Sequence, residues 1–306
     1  MNNTMHFIHK FAYSYSKQGF RGSSYVWKIA NFITREENGS VIFLPSGFPL
    51  IVDKTDWMAR TIYEGTYERS LLRLLDQVSV KGCFVDVGAN IGVTLWHGMQ
   101  NSSPSATFVA IEPSMQCQGG LELSTRSITA PGKTLKLALG DRSEKGRMHG
   151  LNNPKHSGSA SLLAREGLYG LDEEVEVRTL DELIKEEEIP KHVFLLKIDT
   201  EGYEEKVLLG GELLISRLEV SIYILEVSPS FSSTEWVRKL YTLISSDYKF
   251  YKLVESGNIK RRSWLVPIEI DMAVSDPEQW NLVILHNKLI ETEDKLRKMI
   301  KTSKMN

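Results

Sequence analysis

The chain has 306 residues, 42% of them hydrophobic and 25% charged, and a formal net charge of -2 at pH 7. These values are ordinary for a globular protein of one large or two small domains, and a dedicated nucleic-acid binder, which usually carries a basic excess, is disfavoured. Two cysteines argue against a disulfide framework and favour a reducing compartment, taken here as the cytoplasm, and no apolar run reaches the roughly 18 residues of a transmembrane helix.

The first 35 residues differ in composition from the rest of the chain. They contain five Lys or Arg residues, whereas no acidic residue precedes Glu36. Apolar residues recur there at helical spacing: Phe7, Ile8, Phe11 and Tyr15. This pattern fits an accessory helix packed on the core, a transit peptide, or a helix that makes a peripheral membrane contact through residues 1–35.

A hairpin is predicted at residues 40–53. Two apolar runs flank the turn composition Pro45-Ser46-Gly47. Pro49 places the second strand at a sheet edge because proline cannot donate a ladder hydrogen bond. We therefore expect residues 1–60 to form an amino-terminal extension of helix and hairpin, followed by a helix at 66–78.

A series of short apolar strands separated by helical segments follows. The predicted strands are 83–87, 107–111, 134–138, 194–198, 221–225, 248–254 and 281–286. Such strands imply a mostly parallel sheet of about seven strands with helices on both faces, a doubly wound α/β fold. We expect residues 61–306 to form this Rossmann-like domain.

Two further segments belong to that domain. Residues 140–178 read as an inserted, glycine-rich loop, although Glu174–Arg178 alternates like a strand. Thr179 and Glu182 then form a capping box that opens a short helix. One helical stripe predicts a carboxy-terminal helix packed on the domain: Leu285, Leu289, Leu296 and Ile300.

The turn after the first sheet strand reads Asp86-Val87-Gly88-Ala89-Asn90-Ile91-Gly92. A dinucleotide fingerprint needs a middle glycine for backbone approach to a pyrophosphate, but Asn90 stands between Gly88 and Gly92. Asp86 would repel a pyrophosphate, whereas it suits the ammonium and sulfonium of S-adenosylmethionine as a direct or water-bridged partner. The alternative for Asp86 is a carboxylate that satisfies helix amides.

Two more acids follow the next two strands. Glu112 ends the second strand about 20 residues beyond the glycine turn, where an acid binds ribose hydroxyls. Asp141 follows the third strand, where a polar group meets the adenine amino group. A solvated strand end is the alternative for Glu112, and a turn residue is the alternative for Asp141.

Five segments in order resemble the FkbM-type methyltransferase family: FVDVGANIG (84–92), IEP (111–113), TLDEL (179–183), LKIDTEG (196–202) and ILE (224–226). Tyr67-Glu68 also fits, and the resemblance spans roughly 65–230. It implies a class I methyltransferase sheet whose last strand is antiparallel, with S-adenosylmethionine as cofactor. It also implies O-methylation of hydroxyls on sugars, glycans or natural products, with Glu68 among the cofactor-binding residues.

Catalytic candidates lie where strands end at the switch point of the sheet. Asp199 follows the fourth strand and is our first candidate for the general base, and Glu226 at the end of the fifth strand is the second acid. His156, in the long loop, is an outside candidate for the base. Helix capping by Asp199 and a loop amide bond at Glu226 are the alternatives. Lys197, a charge within an apolar strand, requires a carboxylate partner if buried.

The function that these residues favour is S-adenosylmethionine-dependent O-methylation of a sugar, glycan or small natural product. The alternatives are a catalytically silent cofactor-binding scaffold of the same fold and, disfavoured by Asp86 and Asn90, a nicotinamide-dependent oxidoreductase. No clustered metal-ligand spacing occurs. Two carboxylates beside a sugar diol would nevertheless suit Mg²⁺, which prefers oxygen ligands.

Overall fold

A computed structural model of the protein defines its strands and helices. The description covers 39–300 except 45, 54–55, 151–159, 163, 165–168, 230–233 and 257–261, together with residues 7, 8, 11, 12, 14, 15, 22, 25, 26 and 29. The predicted amino-terminal helix therefore falls largely, and His156 wholly, outside the described residues. No helix among the described residues is long and apolar enough to span a membrane.

Thirteen strands lie within the described residues. In chain order they are β1 (Val41–Phe43), β2 (Pro49–Ile51), β3 (Cys83–Val87), β4 (Thr107–Ile111), β5 (Gly132–Leu135), β6 (Ala138–Leu139), β7 (Glu144–Gly150), β8 (Tyr169–Arg178), β9 (Val193–Ile198), β10 (Val220–Val227), β11 (Tyr248–Ser256), β12 (Arg262–Pro267) and β13 (Trp280–His286). The helices from residue 57 onward are α1 (Trp57–Tyr63), α2 (Arg69–Leu75), α3 (Val93–Met99), α4 (Met115–Arg126), α5 (Leu180–Lys185), α6 (Glu204–Leu209), α7 (Glu212–Ser216), α8 (Glu235–Ile244), α9 (Ile270–Val274), α10 (Asn287–Thr292) and α11 (Asp294–Met299).

The central sheet has eight strands in the order β12-β11-β13-β10-β9-β3-β4-β5. Neighbours from β10 to β5 pair in parallel, while β13 is antiparallel to both β10 and β11. This is the class I methyltransferase sheet with its late antiparallel strand, as predicted. The added edge strand, β12, pairs antiparallel with β11 and was not predicted.

Both faces of the sheet are buried, as its apolar strands require. Alternate residues of one strand enter different cores: Phe84 packs with α2, α3 and α4, whereas Val85 packs with α5 to α8. Leu195 and Leu196 divide between the same two cores. The fold is therefore doubly wound α/β.

The order of strands creates a switch point between β3 and β9. From β3 the chain proceeds to β4 on one side, whereas β9 lies on the other side, so a crevice opens at the carboxyl ends of β3 and β9. The two loops there touch: the Asp199 amide donates to the Val87 carbonyl at 3.1 Å. A Cβ on Gly88 would lie 1.8 Å from the Asp199 carbonyl oxygen. Glycine at position 88 is what permits this close approach.

The inserted segment differs from the prediction of a loop. Within its described residues, β6, β8 and β7 form a second sheet of three strands. The predicted strand at Glu174–Arg178 is confirmed as part of β8. Gly146 was read as a loop residue, but it lies inside β7, where an added Cβ would come within 2.9 Å of Val177. The glycine serves close packing here, a use that composition alone does not reveal.

At the two ends of the described chain, one prediction is confirmed and one is confirmed only in part. The β1-β2 hairpin is confirmed, and its inner face packs Phe48 edge-on against Trp96 with ring centroids 5.8 Å apart. The carboxy-terminal helix is confirmed in part, because Leu289 and Leu296 lie on helices and pack in the core. Leu285 lies in β13, and the His286 side chain accepts a hydrogen bond from the Lys288 amide, so a helix begins only at Asn287. It breaks at Glu293 into α10 and α11.

Candidate active site

One cavity of about 380 Å³ lies at the carboxyl ends of the central strands. This volume lies within the range of small-molecule sites. Its polar and aromatic lining comes from several separate segments: Trp57, Tyr67, Glu68, Asn90, Glu112, Ser114, Cys117, Ser161, Asp199, Thr200, Glu201, Tyr203, Glu226 and Gln279. The cavity is therefore located at the switch point, where the sequence placed the cofactor and the acceptor.

Glu112, at the end of β4, is nearly buried and lines the cavity. Its two carboxylate oxygens accept hydrogen bonds from the backbone amides of Asn90 and Ser114, both at 2.9 Å. Burial raises the pKa of Glu112 to about 7, because these two bonds offset only part of the desolvation of the charged form. The carboxylate is thus fixed in orientation and titrates near neutral pH.

The glycine turn positions its residues for different tasks. Gly88 and Asn90 line the cavity, whereas Gly92 does not. A Cβ on Gly92 would lie 2.1 Å from Ser124 Oγ, so this glycine serves the packing of the turn against α4. The Asn90 side chain accepts a hydrogen bond from the Ile91 amide at 2.8 Å and so holds the turn closed.

Lys197 is buried beneath the cavity between two carboxylates. Its Nζ lies 3.3 Å from Asp86 and 3.2 Å from Asp199. Burial alone would lower the pKa of Lys197, but the two carboxylates outweigh it and raise that pKa. The sequence predicted that a buried Lys197 needs a carboxylate partner, and the structure provides two.

Asp86 lies deeper than we expected. It is fully buried, does not line the cavity, and accepts a hydrogen bond from the Thr94 hydroxyl at 2.8 Å in addition to its ion pair. Direct contact with a cofactor is not what this position offers. Asp86 instead acts on the cavity indirectly. It pairs with Lys197, and Lys197 also pairs with Asp199, which lines the cavity.

A second group of acids lies just beyond β9 and at the end of β10. Glu226 is buried and accepts hydrogen bonds from the Ser228 hydroxyl, at 2.9 Å, and from the Gln279 amide. Burial, reinforced by the charges of Asp199 and Glu201, raises its pKa well above the usual value. Glu226 therefore retains its proton at pH values where an exposed glutamate is ionised.

Tyr67 and Glu68 close the same end of the cavity from the segment before α2. Burial first, then the charge of Asp199, raises the pKa of Glu68. Burial, with the charges of Asp199, Glu68 and Glu226, also raises the pKa of the Tyr67 phenol well above its usual value. These four side chains act on one another electrostatically and form one acidic cluster around the phenol.

The cavity lining also concentrates left-handed backbone. Glu68, Asn90 and Glu201 have φ values of 36°, 51° and 56°. This region is disfavoured for residues with a Cβ, and such strain is typical of functional sites. Three separate loops are thus held in costly conformations where they meet the cavity.

Some residues expected at the site lie elsewhere. Asp141 does not line the cavity; its carboxylate lies 3.4 Å from the Lys206 ammonium. Leu137, Ala138 and Leu139 of the same segment line the cavity in its place. Asp141 lies in a bend, Asp141-Arg142, between β6 and β7, which fits the alternative reading of a turn residue.

Several lining residues from segments far apart in the chain were not identified as site residues from the sequence. Among them are Trp57, Tyr67, Ser161 and Gln279. Of these four, only Tyr67 carried a signal, because Tyr67-Glu68 was part of the family resemblance. The others come from segments without a motif, and the fold alone brings them to the switch point.

A family model described as the methyltransferase FkbM domain matches residues 86–253, more than half of the chain. The chain belongs to the FkbM methyltransferase family. The matched region runs from β3 into β11 and carries Glu112, Asp199 and Glu226. As a member of this family, the protein is an S-adenosylmethionine-dependent methyltransferase, and the oxidoreductase hypothesis is set aside. No curated protein matches the sequence.

Solved structures resemble this FkbM methyltransferase at low identity. A precorrin-6y C5,15-methyltransferase from Geobacter metallireducens GS-15 is 9% identical, with 71% of this chain and 86% of that chain covered and a TM-score of 0.35. M. capricolum TrmK bound to S-adenosylhomocysteine is 12% identical, with 76% of this chain and 70% of that chain covered and a TM-score of 0.35. An O-methyltransferase from Bacillus cereus bound to the same molecule is 11% identical, with 70% of this chain and 78% of that chain covered and a TM-score of 0.34. At these values the likenesses say nothing about the acceptor.

Proposed function

We propose that this FkbM methyltransferase transfers the methyl group of S-adenosylmethionine to a hydroxyl of a sugar, a glycan or a small natural product. The observation that carries the proposal is the acidic cluster of Glu68, Asp199 and Glu226 around Tyr67 at one end of the cavity. Carboxylates accept hydrogen bonds from hydroxyls and repel anionic acceptors. Such a lining favours a neutral polyhydroxyl compound.

The other end of the cavity suits the cofactor. Glu112 ends β4, two strands away from β9 in the sheet, and its orientation is fixed by two backbone amides. In this position its remaining lone pairs accept bonds from two ribose hydroxyls. Gly88 and Asn90 line the wall between the two ends, so the ammonium of the cofactor extends towards the acidic cluster, where Glu68 provides a negative charge for it. The bound cofactor supplies an electrophilic methyl group on a sulfonium.

Asp199 is proposed as the general base. Lys197 holds one of its carboxylate oxygens by an ion pair of 3.2 Å, and the side chain retains 26% of its exposure. Asp199 accepts the hydroxyl proton as the acceptor oxygen bonds to the methyl carbon and the carbon–sulfur bond breaks. A base in position typically contributes 10²–10⁴-fold to the rate, and alignment of the reacting atoms contributes further.

Glu226 is proposed to orient the acceptor rather than to take its proton. Its raised pKa favours the protonated form, in which the carboxyl group donates a hydrogen bond to an acceptor oxygen. Environments that differ in this way separate the roles of two acids in one site. His156 stays an outside candidate for the base on the sequence argument alone.

The proposal also addresses whether the reaction needs a metal ion. Within the described part of the chain, no group of three or more His, Cys, Asp or Glu residues is arranged to hold a metal ion. We propose that proton transfer to Asp199 needs no Mg²⁺. Turnover should then be unchanged in EDTA, and its loss, with recovery on adding Mg²⁺, would assign the acids at 199 and 226 to a metal.

The acceptor can be sought directly. Extracts of metabolites and glycans from cells with and without the gene are compared by mass spectrometry for species heavier by one methylene. Candidates are then incubated with the purified protein and methyl-labelled cofactor. Label in an ether on a neutral polyhydroxyl compound supports the proposal. Label on nitrogen, on nucleic acid or on a phosphorylated acceptor as the preferred product would overturn it.

A further inference from the structure

Exposed apolar side chains concentrate before residue 58. Of the thirteen large hydrophobic residues exposed in the described part of the chain, eight lie there. They are Phe7, Phe11, Tyr25, Ile29, Val41, Phe43, Ile51 and Trp57. A concentration of this kind is typical of a surface that meets a partner or a membrane, whereas single exposed apolar residues are normal.

The hairpin shows the feature most clearly. Val41 pairs with Ile51, and Phe43 lies two residues along the same face of β1. These three side chains are 51%, 40% and 62% exposed, while Ile42 and Leu50 on the opposite face are buried. A hairpin with one solvated face normally alternates apolar and polar residues. This hairpin is apolar on both faces, and its outer face, made of Val41, Phe43 and Ile51, is uncovered.

The amino-terminal segment shares this arrangement. Ala12 is fully buried in the same apolar cluster as Ile42 of the hairpin. Phe7 and Phe11, by contrast, are 71% and 58% exposed. Among the described residues of this segment, Ala12, Ile8 and Val26 therefore pack on the cluster that holds the inner face of the hairpin, whereas Phe7 and Phe11 stay in solvent.

Charge identifies the kind of surface that this module fits. Residues 1–35 contain five Lys or Arg residues and no Asp or Glu. The segment thus carries +5, and the rest of the chain carries -7, since the whole carries -2. Basic residues interleaved with exposed aromatic residues match an anionic lipid surface, where the rings enter the interface and the cations meet the headgroups.

We propose that residues 1–35 and the outer face of the hairpin dock this protein on an anionic membrane surface. Trp57 follows the hairpin in the chain, is 49% exposed and lines the cavity. The docking rests on the exposed residues and the charge, independently of the reaction.

The test is co-sedimentation of the full chain with vesicles of phosphatidylcholine alone or with added phosphatidylserine. We expect binding to the anionic vesicles only, weakened by salt because the attraction is screened. The double variant Val41→Ser/Phe43→Ser should bind at least about tenfold more weakly, since it removes apolar area that enters the interface. The matched control is Leu213→Ser/Leu243→Ser, whose side chains are both 55% exposed but lie on other elements.

Circular dichroism and cofactor affinity confirm that each variant is folded. Wild-type protein that does not sediment with anionic vesicles would overturn the proposal, as would equal losses in the test and control variants. Light scattering addresses a second copy of the chain as occupant. A wild-type dimer that the Val41→Ser/Phe43→Ser variant converts to a monomer, without vesicle binding, would assign the face to self-association instead.

Discussion

At the scale of single residues, the acids of the site differ in what holds them. Glu112 is held by two backbone amides, Asp199 by a buried lysine, and Glu226 by a hydroxyl and an amide. The sequence predicted all three from their places after strands. It did not predict these partners, because Ser228 and Gln279 carry no motif, and it did not predict that Asp86 lies below the cavity rather than in its lining.

The raised pKa of Glu112 makes cofactor affinity depend on pH. Its pKa is about 7 in the protein without cofactor, and the ionised form accepts the ribose hydroxyls. Affinity should therefore rise about tenfold between about pH 6 and about pH 8, as the carboxyl loses its proton. Calorimetry across this range measures it. In Glu112→Gln the affinity should be lower and the rise should vanish; an unchanged rise would assign it to another group.

Asp199 and Glu226 should respond differently to loss of their carboxylates. Asp199→Asn keeps shape and removes basicity, so turnover should fall by about 10²–10⁴-fold while cofactor still binds. Glu226→Gln keeps a hydrogen-bond donor and should lose far less. Single-turnover kinetics separate the two, with Asp141→Asn, outside the cavity lining, as the control. Full activity in Asp199→Asn would remove it from the role of base.

Lys197 should matter greatly for stability. Lys197→Met leaves the carboxylates of Asp86 and Asp199 without their partner, and breaking such a buried pair costs about 3–5 kcal/mol. Lys206→Met removes a pair whose lysine is 40% exposed and should cost at most about 1 kcal/mol. Urea unfolding compares them. Adding Asp86→Asn to Lys197→Met should recover part of the loss; equal costs for the two lysines would refute the argument.

At the scale of elements, the strands were predicted well because buried parallel strands are continuous apolar runs. Prediction failed where packing overrode local composition. Gly146 suggested a loop but permits close contact inside β7. Leu285 continued a helical stripe in the sequence, but it lies in β13 and pairs with β10. The predicted strand at 134–138 ends at Leu135, and Ala138–Leu139 joins the small sheet instead.

The contact between the β3 and β9 loops depends on Gly88. In Gly88→Ala, the Cβ would meet the Asp199 carbonyl oxygen at 1.8 Å, and the φ of 73° disfavours alanine. The strain alone costs about 1–2 kcal/mol, and displacement of Asp199 should also abolish turnover. Gly119→Ala is the matched control. It lies exposed in α4 with nothing within 4 Å of an added Cβ, and should stabilise by about 0.5–1 kcal/mol.

At the scale of the whole molecule, the cavity gathers acids that folding removes from water. Burial raises the pKa of Glu68, Glu112 and Glu226. Each therefore binds a proton more tightly in the folded chain than in the unfolded one. The protein keeps this cluster at a cost in stability, which the cationic cofactor is suited to offset.

This cost predicts how stability varies with pH. Between the usual pKa of a glutamate, about 4.5, and the folded value of about 7 for Glu112, the folded chain holds more protons, so unfolding free energy falls as pH rises. Glu112 alone would contribute ~3 kcal/mol over that window. Without cofactor, the protein should be less stable at about pH 7.5 than at about pH 5.5, measured by urea unfolding.

Two controls isolate the cause of that trend. Glu112→Gln cannot ionise, so the fall in stability between the two pH values should shrink in this variant. Saturating S-adenosylmethionine binds only the folded chain and pairs its cations with the ionised acids, so it should stabilise more at the higher pH. An apoprotein that gains stability as pH rises through this window would show that the buried acids do not set the balance. It would also remove the electrostatic reason for expecting the cofactor to stabilise the folded chain more at the higher pH.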